Sequence, residues 1–142
     1  MKDNPLPLPG LFDALHRGLV RICPICDAYE VIDQKIGVVG QGEHGAREAL
    51  FLRDYSDRVV LLLVGGDAES LEPTTLREAR VDVVETAIGE VIIKKDRIVA
   101  VDHGDGLRRT YDVIYSALGS TAQSGLAEAA CANVNDMGCL IV

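Results

Sequence analysis

The stretch Lys35–Gly45, KIGVVGQGEHG, constrains the fold more than any other part of the chain. A short apolar run, Lys35–Gly40, predicts a buried strand and ends at the first glycine of a Gly-x-Gly-x-x-Gly loop. Apolar residues at helical spacing follow over Glu43–Asp54. A second apolar run, Arg58–Gly66, is rich in valine and leucine and closes on glycines. Strand, glycine turn, helix and strand within about 30 residues predict a βαβ unit with parallel strands and a right-handed crossover.

The rest of the chain extends this pattern to a full α/β domain. Residues 89–115 alternate short β-rich runs with polar breaks, which predicts a small antiparallel meander. Further helices are predicted at Phe12–Gly18, Pro73–Arg80 and Ser124–Ala130, and further strands at Val81–Thr86, Asp112–Gly119 and Gly138–Val142. The expected fold is a Rossmann-like, mostly parallel sheet with helices on both faces and a β-meander insertion.

Size, charge and the N-terminus set the domain organisation. The chain has 142 residues, enough for one domain, and its net charge of −8 argues against nucleic acid and against an anionic membrane surface. Prolines at every second position (Pro5, Pro7 and Pro9) predict a linker arm over residues 1–20, ahead of a domain spanning 21–142. With no signal peptide and no apolar run of about 20 residues, we expect a cytoplasmic location.

The glycine loop is a candidate dinucleotide site. Gly40 permits the tight turn, Gly42 lets backbone approach a pyrophosphate, and Gly45 lets helix pack on strand. A pyrophosphate at a helix N-terminus would meet free N–H groups, here beside Glu43 and His44. The second strand ends in Gly66 and Asp67, and Asp67 or Glu69 could reach a ribose, but no arginine for a 2′-phosphate precedes Arg77 and Arg80. NAD and NADP both stay open, as does a glycine turn that binds nothing.

The pair Cys23-x-x-Cys26 lies just ahead of this loop, with Cys26 fourteen residues before Gly40. In a chain without a secretion signal, such a pair indicates a redox-active dithiol. Asp27 follows directly and is a candidate acid for a leaving or incoming thiolate. Zinc binding and inert buried cysteines are the alternatives. Cys131 and Cys139 form no second zinc knuckle with suitable spacing, and we expect no metal site.

Together, CPICD, GQGEHGAREALFL and YSALG resemble the pyridine-nucleotide domain of the thioredoxin reductase family, along nearly the whole chain. The resemblance implies electron flow from NADPH or NADH to FAD, then to the dithiol and a disulfide substrate. It implies that Cys26 lies next to the flavin, that Cys23 exchanges with substrate and that Asp27 is the acid. Gly119, in SALG, matches a family glycine near the nicotinamide-side loop.

Three departures from the family pattern shape the functional expectation. Val64-Gly65-Gly66 replaces the His-Arg-Arg motif that holds the 2′-phosphate, and Ala122 stands where a proline is expected after Gly119. No FAD fingerprint is present, so FAD is expected in a full-length protein and not on this chain alone, which is expected to be inactive. The expected partners are the missing FAD domain, a thioredoxin-like protein or small disulfide, and a second copy in a homodimer. A flavin-dependent dithiol oxidase fragment and a stand-alone Rossmann module sensing NAD(H) or redox state are the alternatives.

Overall fold

The computed structural model describes residues 2–4, 8–64, 73–85, 90–95, 98–102 and 106–141. The strands are β1 (Lys2–Asp3), β2 (Val20–Arg21), β3 (Lys35–Gly40), β4 (Arg58–Leu63), β5 (Asp82–Val84), β6 (Glu90–Lys94), β7 (Ile98–Asp102), β8 (Arg108–Tyr111), β9 (Val113–Ala117) and β10 (Ser120–Thr121). The helices are α1 (Leu11–His16), α2 (Pro24–Asp27), α3 (Gly42–Leu52), α4 (Pro73–Glu78) and α5 (Gly125–Ala129), with a 3₁₀ turn at Ala28–Val31.

Five parallel strands form the central sheet, in the order β2-β9-β3-β4-β5. From β3 the chain crosses through α3 to β4 and then to β5 on one side, whereas β9 returns to the other side of β3. The strand order therefore reverses between β3 and β9, and ligands of open α/β sheets bind at the carboxyl ends of strands at such a point. The predicted βαβ unit and the mostly parallel sheet are confirmed.

The two faces of the sheet are buried by different elements because successive strand residues point to opposite faces. One face packs against α3 and α4 through a cluster that includes Ile36, Val38, Leu52, Leu61, Leu76, Val113 and Tyr115. The other face packs against α1 and β6 through a cluster that includes Ala14, Val39, Leu62, Val91 and Ile114. The predicted antiparallel meander, β6-β7-β8, is confirmed, and together with α1 it covers this second face.

The two ends of the described chain concern the expected linker arm and the predicted last strand. Ala14 in α1 is fully buried, and Val20 adds β2 to the sheet edge, so residues 11–21 pack on the domain. The boundary at residue 20 stays a prediction. The strand predicted at Gly138–Val142 is wrong for residues 138–141, which form one bridge, Leu140 to Val134. Gly138 has φ +73° in a turn after Asn135, and this turn prevents a continuous ladder.

Among the helices that the structure describes, none combines the length and apolar character needed to cross a membrane.

Candidate functional site

The register of the sheet places the dithiol and the glycine loop at one edge. Arg21 in β2 pairs with Tyr115 in β9, which pairs with Val38 in β3. Cys23 follows Arg21 by two residues, and Gly40 follows Val38 by two residues. Since neighbouring strands lie about 4.8 Å apart, two strand spacings separate the dithiol segment from the loop by roughly 10 Å. The carboxyl edge therefore brings together the two motifs of the sequence, and α2 contacts α3 there.

The first and third glycines of the loop hold strand β3 against helix α3. A Cβ on Gly40 would lie 2.4 Å from the Cα of Gly45, and a Cβ on Gly45 would lie 2.7 Å from the Cα of Gly40. No side chain fits between backbones this close. Gly42 has φ +50°, the left-handed region that favours glycine. Gly40 and Gly45 are thus explained by packing alone, and Gly42 by the turn.

The N-terminus of α3 leaves backbone N–H groups facing the loop. Gln41 is the N-cap, and its side chain makes no capping hydrogen bond within this described segment. Such N–H groups, together with the helix dipole, suit a pyrophosphate. Glu43 introduces a carboxylate into the same turn, and its Oε1 lies 2.5 Å from Nη2 of Arg47. The backbone therefore fits a dinucleotide, whereas the first side chain of the helix repels an anion unless Arg47 balances it.

His44 and Glu48 line a cleft beside this helix. Nε2 of His44 lies 3.1 Å from Oε1 of Glu48, and the cleft of about 220 Å³ is also lined by Ile22, Ser116 and Gly119. Burial raises the pKa of Glu48 above its ordinary value, although His44 acts in the opposite direction. Oε2 of Glu48 is buried and has no hydrogen-bond partner among the described residues. The cleft thus connects the residue before Cys23 with the glycine-loop helix.

Gly119 lies where the sequence places it, after the end of β9, with φ +72°. The N–H of Val64 donates to the carbonyl of Gly40 at 3.0 Å and ties the end of the second strand to the loop. Gly66 and Asp67, predicted to bind the cofactor, lie outside the described residues, as does Glu69, the other residue predicted to be able to reach a ribose.

The dithiol is a disulfide between Cys23 and Cys26, with Cα atoms 5.3 Å apart. Cys23 is the extended N-cap of α2, and Pro24 at the first helical position has the φ that a helix start requires. Pro24 is buried, whereas Ile25 and Tyr29 are 85% and 80% exposed. Cys131 and Cys139 are free thiols. The segment is anchored at its proline and displays apolar side chains around the disulfide.

Asp27 is held by two donors from other parts of the chain. The hydroxyl of Tyr115 donates to Oδ1 of Asp27 at 2.5 Å, and Nη1 of Arg21 lies 3.3 Å from Oδ2. The same Nη1 donates to Glu30 at 2.8 Å. Burial and the hydrogen bond to Asp27 raise the pKa of Tyr115. Burial opposes the charge of Arg21, but the hydrogen bond to Glu30 and the charge of Asp27 outweigh it and raise the pKa of Arg21.

Sequence reasoning missed Tyr115 and Arg21 as members of this site. Tyr115 lies within a run that reads as an ordinary buried strand, and Arg21 reads as a flanking charge. The available signal was the phenol itself, because a buried tyrosine hydroxyl usually finds a partner.

A larger cleft of about 550 Å³ lies next to Gln34 and Asp112, and Arg21 and Glu30 also line it. None of the site residues predicted from the sequence lines this cleft. The cleft therefore reaches the ion pairs of Arg21 beside Asp27, but it is lined neither by the cysteines nor by the glycine loop.

Fold and site together define a Rossmann-like domain that carries a disulfide at the carboxyl edge of its sheet, beside a Gly-x-Gly-x-x-Gly loop. Sequence comparison finds no matching family model and no matching curated protein. Comparison with solved structures finds "HlmI" at TM-score 0.81 and 25% identity, over 99% of this chain and 44% of that one.

Thioredoxin reductases share the fold. The enzyme from Streptococcus pyogenes MGAS5005 superposes at TM-score 0.76 and 20% identity, over 99% of this chain and 48% of that one. The Lactococcus lactis enzyme superposes at TM-score 0.72 and 18% identity, over 99% and 49%. The resemblance to thioredoxin reductases expected from the sequence is confirmed at the level of fold. The chain spans less than half the length of each of these structures.

Proposed function

We propose that the chain is the nucleotide-binding, dithiol-bearing domain of a thioredoxin reductase-like disulfide oxidoreductase. The observation that supports this most is the register that places Cys23 level with Gly40 at the carboxyl edge of a Rossmann-like sheet. A dithiol and a dinucleotide site on one edge suit electron transfer between the two. The fold shared with thioredoxin reductases supports the same class.

The chemistry assigned to this chain is thiol–disulfide exchange. A substrate disulfide is attacked by the Cys23 thiolate, a mixed disulfide forms, and the Cys26 thiolate then attacks Cys23 and releases the reduced substrate. Asp27, next to Cys26, exchanges the proton that accompanies these steps. A flavin supplies the two-electron link between a nicotinamide and the dithiol when it is bound.

The cofactor roles follow the site. The backbone of Gly40, Gly42 and Gly45 and the first turn of α3, with Glu43 and His44, would hold the pyrophosphate of NADP or NAD. Gly66, Asp67 and Gly119 are proposed for the remainder of the nucleotide. FAD is proposed for the missing FAD domain of a longer protein and not for this chain alone. The proposed partners are that domain, a thioredoxin-like protein or small disulfide, and a second copy, in the cytoplasm.

Three measurements on the 142-residue chain test this function. Calorimetric titration of the reduced chain with NADPH and with NADH separately is expected to show binding of at least one. Equilibration with dithiothreitol redox buffers is expected to show a reversible Cys23–Cys26 couple. Reduction of a disulfide dye by NADPH is expected to be absent without added flavin. Absence of both nucleotide binding and a reversible couple would contradict the proposal.

A second candidate, a fragment of a flavin-dependent dithiol oxidase that uses no nicotinamide, is favoured by one observation. Two carboxylates, Glu43 and Glu48, lie on the first two turns of α3, where an anionic pyrophosphate would bind. A reversible Cys23–Cys26 couple without affinity for either nucleotide would support the oxidase over the reductase. As a control, Glu43→Gln removes one carboxylate, and nucleotide affinity restored by it would show that the charge, and not the fold, prevents binding.

A further inference from the structure

The hydrogen bond between Tyr115 and Asp27 joins two segments 88 residues apart in the chain. Tyr115 is fully buried in β9, the strand next to β2, and its side chain points to the face covered by α3. A buried strand position needs an apolar side chain for packing, and phenylalanine would satisfy that need. Packing therefore does not explain the hydroxyl of Tyr115, whereas its hydrogen bond to Asp27 does.

Both oxygens of the Asp27 carboxylate face a donor or a cation. Oδ1 accepts from the phenol, and Oδ2 lies beside the guanidinium of Arg21, which Glu30 shares. A carboxyl group with two such partners is held in one orientation. Each oxygen has one acceptor direction engaged by a partner and another left open, so these contacts orient the carboxylate beside the adjacent Cys26 and offset part of its charge.

We propose that Tyr115 is a positioning residue of the dithiol, which donates its hydroxyl hydrogen to Asp27 and thereby orients this carboxylate beside Cys26 and offsets part of its negative charge. The proposal rests on the proposed function, since it concerns the reactivity of Cys26 in thiol–disulfide exchange. Without the phenol hydroxyl, the charge of the Asp27 carboxylate next to Cys26 is less neutralised. This charge disfavours the Cys26 thiolate, so Cys26 becomes a weaker nucleophile.

A mutant cycle on a single-thiol chain tests this inference. Cys23→Ser, Cys131→Ser and Cys139→Ser leave Cys26 as the only thiol. Its reaction with iodoacetamide, in which the thiolate displaces iodide, is followed near neutral pH. Tyr115→Phe is expected to slow alkylation by about threefold, and to have almost no effect when Asp27→Asn is already present.

Tyr111→Phe is the matched control, since it removes another buried phenol hydroxyl whose ring lies against Gly37 at the other end of the sheet. It is expected to leave the alkylation rate unchanged in both backgrounds. An equal slowing by Tyr115→Phe with and without Asp27 would overturn the proposal, because the hydroxyl would then act only on stability. The redox titration of the unaltered chain tests the proposed function separately. A failure of the proposed function can therefore be distinguished from a failure of the inference on Tyr115.

A second measurement needs no variant at position 115. At neutral pH, the ¹³Cζ shift of Tyr115 is expected to differ between the unaltered chain and Asp27→Asn, because the acceptor of its hydroxyl changes. The same Tyr115 shift in both chains would also overturn the proposal, even if a Tyr115 variant failed to fold.

Discussion

The glycine loop and the dithiol turn lie at the same edge of one sheet, but their sequences are explained by different forces. At the loop, Gly40 and Gly45 touch through their backbones, so the fold itself requires two of the three glycines. At the dithiol turn, Ile25 and Tyr29 are exposed, and Asp27 is held by polar contacts to Tyr115 and Arg21. Packing accounts for the first motif without any ligand, whereas the second keeps groups that the core does not need.

This difference changes the weight of each motif as a sign of function. A Gly-x-Gly-x-x-Gly loop survives wherever helix and strand must stay this close, whether or not a nucleotide binds. A disulfide flanked by exposed apolar side chains and a tethered carboxylate has no such structural reason. The dithiol is therefore the stronger indication of chemistry in this chain, and the following experiments test that contrast.

The largest effect is expected from Gly40→Ala. The new Cβ would lie 2.4 Å from Gly45 Cα, so β3 and α3 must separate, and overpacking of this kind costs about 3 kcal/mol of unfolding free energy. Urea unfolding measures the loss. Gly125→Ala, whose Cβ meets nothing within 4 Å, is the matched control and should change stability by less than about 1 kcal/mol. Equal stability of the two variants would show that the loop glycines are not packing residues.

A smaller loss is expected on reducing the disulfide. Cys23 and Cys26 close a loop of only four residues, for which chain entropy gives about 2 kcal/mol at most. Urea unfolding with and without dithiothreitol measures the difference, and Cys23→Ser should be insensitive to the reductant. A loss larger than that of Gly40→Ala would make the dithiol a structural crosslink and reverse the comparison.

The next expected effect is a loss of stability that occurs only at alkaline pH. Burial raises the pKa of Tyr111 to about 12, and burial together with Asp27 raises the pKa of Tyr115 further. The folded chain keeps protons that the unfolded chain releases, so stability should fall as pH rises above the ordinary phenol pKa of about 10. In an alkaline titration followed by tyrosinate absorbance, part of the signal, the late fraction, should appear only when the chain unfolds.

Tyr111→Phe and Tyr115→Phe should each remove about half of this late fraction, since each contributes one phenol. Ionisation of Tyr115 in the still folded chain would show that its contact with Asp27 is looser than the structure indicates.

The smallest effect is expected from Glu43→Gln. Its ion pair with Arg47 is exposed on both sides, and exposed pairs at this helical spacing contribute about 0.5 kcal/mol or less. Thermal unfolding should therefore barely change. A large loss of stability would mean that this side chain, too, belongs to the structural part of the loop.

Local patterns predicted most of the elements. The strand Lys35–Gly40 has the predicted bounds, α3 begins one residue before the predicted stretch Glu43–Asp54, and β4 lies within the predicted Arg58–Gly66. The agreement is this close because each element depends on neighbours in sequence. The strand predicted at Gly138–Val142 is wrong for residues 138–141 because an apolar run alone does not form a strand. Residues 138–141 follow a turn and form one bridge pair, between Val134 and Leu140.

The sequence by itself determined that a dithiol and a glycine loop would occur in a βαβ chain, since spacing and composition are local properties. Only the tertiary structure decided that Cys23 lies level with Gly40, because this depends on β2 joining the sheet beside β9. It also decided that Tyr115 meets Asp27 across 88 residues, a contact that no local pattern encodes. Strand order and register, set by burial of both sheet faces, turned two separate motifs into one site.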